Sequence, residues 1–191
     1  MKQKISSDAL FKIIIFGDGG VGKTTLVKRF LTGIFDTSTT MTIGVDFYVK
    51  KLNMYRKKIS LQIWDFAGED RFRFLLPSYV TGASGGIFMY DITRYSSLKN
   101  FDDWLNIFRD GYRMKQTGST LPVLMVGGKL DLEYKRSVTR EKARKVVRSQ
   151  NLYDYIECSS KTGRNVEKIF EEMAQLLMRR AGLVTHETKN I

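Results

Sequence analysis

A single cysteine, Cys158, stands in 191 residues, so no disulfide can form within the chain, and a domain of this length can bury its core without one. Long apolar runs are equally scarce. The longest near the start, Leu10–Phe16, is interrupted by Lys12, whereas a transmembrane helix needs about 20 apolar residues. Met1–Lys4 ahead of that run imitates a signal peptide, but no small-residue cleavage site follows. Internal repeats, low-complexity segments and dividing linkers are also lacking. These absences leave one compact domain at 9–181, with loose ends at 1–8 and 182–191, and a lone thiol suited to a reducing cytoplasm.

Basic charge, by contrast, is plentiful. The formal net charge is +12, gathered at Lys50–Lys51, Arg56–Lys58, Lys135–Arg136, Arg140–Arg148 and Arg179–Arg180. Such charge either forms a solvated surface or favours anionic partners, among them lipid head groups, acidic proteins and nucleic acid. No aromatic-interleaved RNA signature or DNA-reading motif accompanies it, so there is no strong nucleic-acid signal. A weak contact with an anionic membrane through the basic patches is the remaining expectation.

Short apolar runs alternate with helical patterns along the chain. Strands are expected at Leu10–Phe16, Val45–Leu52, Ile59–Trp64, Gly86–Tyr90, Leu121–Val126 and Tyr155–Cys158. The second and third flank the polar tip Asn53–Lys58, which suggests an antiparallel hairpin. Helices are expected at Lys23–Leu31, Ser97–Tyr112, Thr139–Ser149 (with Thr139 as N-cap) and Val166–Met178. Their apolar stripes, such as Val166, Ile169, Phe170, Met173 and Leu177, are core-facing scaffold. The fold class is α/β: a six-stranded, mostly parallel sheet with one antiparallel edge strand and helices on both faces.

One segment carries chemistry on its own. Gly17-Asp18-Gly19-Gly20-Val21-Gly22-Lys23-Thr24 matches the phosphate-loop pattern G-x-x-x-x-G-K-[ST], placed after a strand and opening a helix. Glycines let successive N–H groups turn inward to phosphate oxygens, and the helix N-terminus adds partial positive charge. Lys23 can neutralise the outer two phosphates, and the Thr24 hydroxyl can bind Mg²⁺.

Four further segments follow in order: Thr42–Phe47 (TIGVDF), Trp64–Glu69 (WDFAGE), Gly127–Asp131 (GGKLD) and Glu157–Lys161 (ECSSK). With SYVTGASGGIFMYDIT between them, the chain resembles the small GTPases of the Ras superfamily, Rab-like branch, from about Ala9 to Ala181. The resemblance implies GTP and GDP as ligands, Mg²⁺ as cofactor, and GTP hydrolysis as the reaction. It places Gly17–Thr25 around the phosphates, Thr42 on Mg²⁺ and the γ-phosphate, and Asp65 on Mg²⁺ through water. Gly68 would donate its N–H to the γ-phosphate, and Phe35 would stack on the base, although an aromatic there also suits core burial. Asp131 would accept from guanine N1–H and the exocyclic amine, a donor pair that adenine lacks. The Lys129 stem would lie along the base, the Ser160 N–H would meet the guanine carbonyl, and Ser159 and Lys161 would fix that loop. Effectors would read the two switch regions of a monomer, with exchange and activating factors as further partners.

Three positions depart from the family pattern. Glu69 replaces the glutamine that orients the attacking water, and a carboxylate can only accept where an amide also donates. Its effect on rate has no sign readable from the residues. Gly128 replaces the asparagine of the guanine motif, which implies a weaker grip on the nucleotide, by about 1–3 kcal/mol. The tail at 182–191 carries no cysteine, so no lipid anchor is expected in this chain and any membrane association would be peripheral. No arginine finger in cis is evident, and Arg71 and Arg73 are expected to face effectors or solvent. Two functions follow: a slow GTP-hydrolysing switch, or a guanine-nucleotide-binding module with little useful hydrolysis. A small P-loop kinase shares Gly17–Thr24 but leaves the other motifs unexplained.

Overall fold

The computed structural model describes residues 7–38, 40–113 and 120–185. Six strands form one sheet: β1 Ala9–Phe16, β2 Val45–Met54, β3 Lys57–Phe66, β4 Gly85–Asp91, β5 Val123–Gly128 and β6 Asp154–Glu157. Their spatial order is β2-β3-β1-β4-β5-β6. Only β2 runs antiparallel to its neighbour, and the other pairings are parallel. The helices are α1 Lys23–Thr32, α2 Leu76–Val80, α3 Tyr95–Lys99, α4 Phe101–Arg113, α5 Arg140–Ser149 and α6 Val166–Arg180. Short 3₁₀ turns occupy Asp70–Leu75 and Leu130–Lys135.

The two-residue period of β1 divides the core. Ile13 and Ile15 enter the layer beneath α1 and α6, with Leu26, Phe30, Phe170 and Met173. Ile14 and Phe16 enter the opposite layer, with Leu76, Leu98, Trp104 and Phe108. Stacked rings close both layers, Phe30 on Phe170 at 3.9 Å and Phe16 on Phe108 at 4.7 Å. The crossovers put helices on both faces, as a buried parallel sheet requires. All parallel strands end on the same edge, and the loops leaving β1, β3, β5 and β6 converge there.

Several boundaries differ from the sequence expectation. The hairpin tip is not the loop 53–58: pairing continues to Met54 opposite Lys57. The turn is therefore Tyr55–Arg56, with φ of 49° and 60°, a two-residue primed turn whose twist matches the strands. The helix expected at Ser97–Tyr112 is split at Asn100 into α3 and α4. Thr139 caps α5 as its sequence suggests, accepting from the Lys142 N–H at 3.2 Å. The loose ends expected at 1–8 and 182–191 mostly lie outside the described residues. Within them, Asp8 is tied to Lys58 by two hydrogen bonds of 2.7 and 2.6 Å, and Leu183 and Val184 pack on the core. Among the described residues, no helix is long and apolar enough to cross a membrane.

Candidate nucleotide site

The loop 17–22 leaves β1 and enters α1 through Gly22, whose φ of 103° is left-handed. That conformation suits glycine alone and turns the chain at once into the helix. Gly17 has a second constraint, because a Cβ there would stand 2.2 Å from the Met89 carbonyl oxygen. Below the loop opens a cavity of about 450 Å³. Gly19–Thr25 and Gly68 line one end, Lys129, Asp131, Ser160 and Lys161 the other, and Phe35 and Thr42 the side between. Gly17, Asp18, Asp65, Glu69 and Ser159 do not line it.

Lys23 is buried at 5% exposure and donates to the carbonyls of Gly17 and Asp18 at 2.7 and 2.8 Å. Burial pulls its pKa down to about 8, opposed by the charges of Asp65 and Asp18. An anion arriving in the cavity would therefore meet a cation that is poorly compensated by the protein. Beside Lys23, the Thr24 hydroxyl bonds to Thr42 Oγ1 at 2.7 Å and to Asp65 Oδ2 at 2.5 Å. Asp65 is fully buried, and its Oδ1 has no hydrogen-bond partner among the described residues. Burial raises its pKa to about 6, against the opposing bond from Thr24. Two hydroxyls and a carboxylate with an orphaned oxygen form an all-oxygen donor set, the chemistry that suits a hard cation such as Mg²⁺.

Asp18 lies within the phosphate-loop pattern, but its side chain turns away from the cavity. Its carboxylate accepts from Trp104 Nε1 at 2.8 Å and Asn100 Nδ2 at 2.9 Å. Asn100, whose amide reaches the loop, is also the residue between α3 and α4. Arg73 reaches the same carboxylate at 3.5 Å and lies over the Trp104 ring at 4.5 Å. The expectation that Arg73 faces effectors or solvent is thus corrected: its side chain is 18% exposed and packs inward. Arg94 also clasps the loop, donating to the Gly19 carbonyl at 2.6 Å. No local sequence pattern pairs Asp18 with residues more than 80 positions away.

The second switch meets the loop by direct backbone contact. A Cβ on Gly68 would lie 2.2 Å from Gly19 N, so residue 68 must be glycine for this approach. Glu69 points elsewhere, in an ion pair with Arg71 at 2.9 Å. At the far end, Asp131 Oδ1 accepts from the buried Ser159 hydroxyl at 2.6 Å. The Leu130 N–H donates to the Cys158 carbonyl at 2.9 Å, which clamps the two loops together. Lys129 lines the cavity with its stem while its ammonium pairs with Asp91 at 2.7 Å.

Cys158 sits inside this clamp, fully buried, with its thiol pKa raised to about 12 by burial and by the nearby charge of Asp131. At pH 8 only about one thiol in 10⁴ would be ionised, and the thiolate is the reactive form. Alkylation by iodoacetamide should be at least about 100-fold slower in the folded chain than in urea, and slower again with nucleotide bound. Mass spectrometry of timed samples checks this; equal rates would mean that the clamp opens freely.

A glycine loop under a helix N-terminus, an oxygen-lined pocket at one end and a carboxylate-bearing recess at the other define a P-loop nucleotide-binding domain. Comparison with known proteins narrows the class. A family model described as the Ras family matches residues 12–179. Ras-related protein Rab-19 of Xenopus laevis is 42% identical over 173 residues, covering 91% of this chain and 79% of its own. Ras-related protein Rab-30 of Homo sapiens is 40% identical over 175 residues, covering 91% and 83%. Ras-related protein Rab-10 of Diplobatis ommata is 35% identical over 188 residues, covering 98% and 91%. The chain belongs to the Ras family, as a Rab-like small GTPase that binds guanine nucleotide and hydrolyses GTP.

Proposed function

We propose that residues 9–181 form a Mg²⁺-dependent GTP/GDP switch whose unassisted turnover is slow, about 10⁻⁴–10⁻² s⁻¹. The observation that carries this reading is the buried, unpartnered Asp65 Oδ1 beside the Thr24 and Thr42 hydroxyls. Those three residues would hold Mg²⁺, which when bound neutralises phosphate charge. Lys23 and the N–H groups of Gly19–Thr25 bind the phosphates, and Gly68 senses the γ-phosphate from the opposite wall. Phe35 covers the base, Lys129 supports it, and Asp131 and Ser160 read its edge, with Ser159 and Lys161 fixing their loop.

Thr42 and Gly68 lie on separate segments that both face the phosphate end, so loss of the γ-phosphate frees both. On and beside these segments the surface exposes Ile43, Phe47 and Phe74, and the Trp64 ring meets that of Phe47 at a tilt, 4.7 Å between centroids. Effectors bind this apolar face of the monomer in the GTP state, and exchange and activating factors act through the same switches. The exposed basic residues of the β2–β3 hairpin and α5 supply a weak contact with anionic membrane surfaces.

Glu69 keeps the unassisted rate low by standing away from the reaction. Held by Arg71 and outside the cavity, it neither donates to the transition state nor reaches an attacking water directly. Glu69→Gln removes the charge that holds this pair, weakening the grip of Arg71, and restores a group that both accepts and donates. Phosphate release from GTP should rise by about 3- to 10-fold in this variant, a modest share of the 10²–10⁴ available to a positioned proton-transfer group. In the wild type, replacing Mg²⁺ with EDTA should lower release at least about tenfold. Equal release with Mg²⁺ and with EDTA would sink the metal assignment, and an unchanged rate in Glu69→Gln would sink that of Glu69.

A further inference from the structure

We propose that Met89 is the positioning residue that ties the phosphate loop to the base loop, in the place left empty by Gly128, and that it thereby sets the rate of nucleotide release. The proposal rests on the cavity being a guanine-nucleotide site. Met89 is the fifth residue of β4, 1% exposed, and its side chain lines the cavity. Its methyl Cε stands 3.6 Å from the Cβ position of Gly22 in the phosphate loop. The same methyl stands 2.4 Å from the Cβ position of Gly128, at the end of β5. One methyl group therefore fills the space between the two loops.

Gly128 is not required by its backbone, since it is absent from the positive-φ glycines. A side chain there would have to push aside the Met89 methyl, the far end of a flexible chain, and would crowd the Val21 backbone carbonyl oxygen, 3.1 Å from the same Cβ position. Met89 and Gly128 are thus one packing unit. A large thioether on β4 and no side chain on β5 exclude water from a space that a polar β5 residue would otherwise bridge. The tie is made by dispersion through a flexible side chain, which adapts to movement and has no hydrogen bond to break. Such a contact closes the two loops around the nucleotide and also lets them part readily.

The test is a double-mutant cycle read by two measurements: release of a fluorescent GDP analogue with Mg²⁺ present, and thermal unfolding of the nucleotide-free protein in EDTA. Met89→Val empties the space, and release should accelerate about tenfold, in proportion to the lost packing between the loops. Gly128→Asn alone should lower the melting temperature modestly and slow release less than the pair does, because the Met89 methyl, though able to shift, competes for the amide's space and the Val21 carbonyl oxygen crowds its Cβ. The Met89→Val/Gly128→Asn pair should melt close to the wild type and release GDP at least about tenfold more slowly, the new amide having room to bridge.

A purely structural Met89 would move the melting temperature and not the release rate. The proposal is overturned if Gly128→Asn alone slows release as much as the pair does, or if Met89→Val releases GDP at the wild-type rate. Failure of the wild type to bind the analogue at all would instead overturn the guanine-site reading, and the release arm with it. In that case a wild-type melting temperature for Gly128→Asn would overturn the packing unit separately.

Discussion

Asp131→Asn will weaken GDP binding by about 10²–10³-fold while improving binding of xanthosine diphosphate, a reversal that no loss of stability could produce. Asp131 lies in the cavity wall and accepts from the buried Ser159 hydroxyl at 2.6 Å, so one carboxylate oxygen is held and its orientation fixed. Guanine presents two donors, N1–H and the 2-amino group, and a carboxylate accepts both. The asparagine amide keeps one acceptor for N1–H but sets an NH₂ against the purine 2-amino group, leaving two donors facing each other without water. Each such unmet group costs about 1–3 kcal/mol. Xanthine carries a carbonyl at that position, and the amide can donate to it. Competition against a fluorescent nucleotide with GDP, XDP and ADP measures the change. Retention of GDP affinity within threefold would show that Asp131 does not read the base.

How much of this was legible follows from where each signal resides. The phosphate loop is local: eight contiguous residues carry glycine geometry, the lysine and the hydroxyl, and the strand and helix beside them are periodic in the sequence. The mostly parallel sheet with one antiparallel edge strand and the core-facing helix stripes follow similarly from alternating apolar runs and helical periodicity, whereas the spatial order of the strands does not. The side-chain partners do not. Asp18 looks like a spacer of the glycine pattern, yet its carboxylate joins Trp104 and Asn100, contacts that exist only after β1 and α4 have packed. Asn100 also separates α3 from α4, where the apolar stripe alone runs on. Arg73 belongs to a charged stretch that reads as solvated, and only the ring of Trp104 and the carboxylate of Asp18 turn it inward. Gly128 reads as a missing side chain, and that Met89 occupies the space depends on the parallel register of β4 with β5. Residues acting through backbone and local pattern are visible early, and those acting through contacts across the sheet are not.

Lys23→Met will reduce nucleotide affinity by at least about 10²-fold without lowering the thermal stability of the empty protein, because the cost of burying this charge outweighs the attraction of Asp65 and Asp18, neither of which it contacts in an ion pair. Among the described residues the ammonium donates to two carbonyls, of Gly17 and Asp18, and burial holds its pKa near 8 against 10.5 for a free lysine. The sign of the linkage follows from that depression. Between about pH 8 and 10.5 the unfolded chain binds more protons at this position than the folded one, so the empty fold gains stability as pH rises through that window. Methionine, similar in length and neutral at every pH, abolishes that gain.

Nucleotide binding has the opposite dependence. A phosphate beside Nζ favours the ammonium, so above about pH 8 binding must take up a proton. Wild-type affinity should then fall by up to about tenfold per pH unit, while that of Lys23→Met stays flat. Calorimetric titrations with GDP at pH 7 and pH 9, in buffers of differing ionisation enthalpy, read the proton uptake directly. Equal pH slopes for the two proteins would show that the lysine is already protonated by its surroundings and does not gain its charge partner from the phosphates.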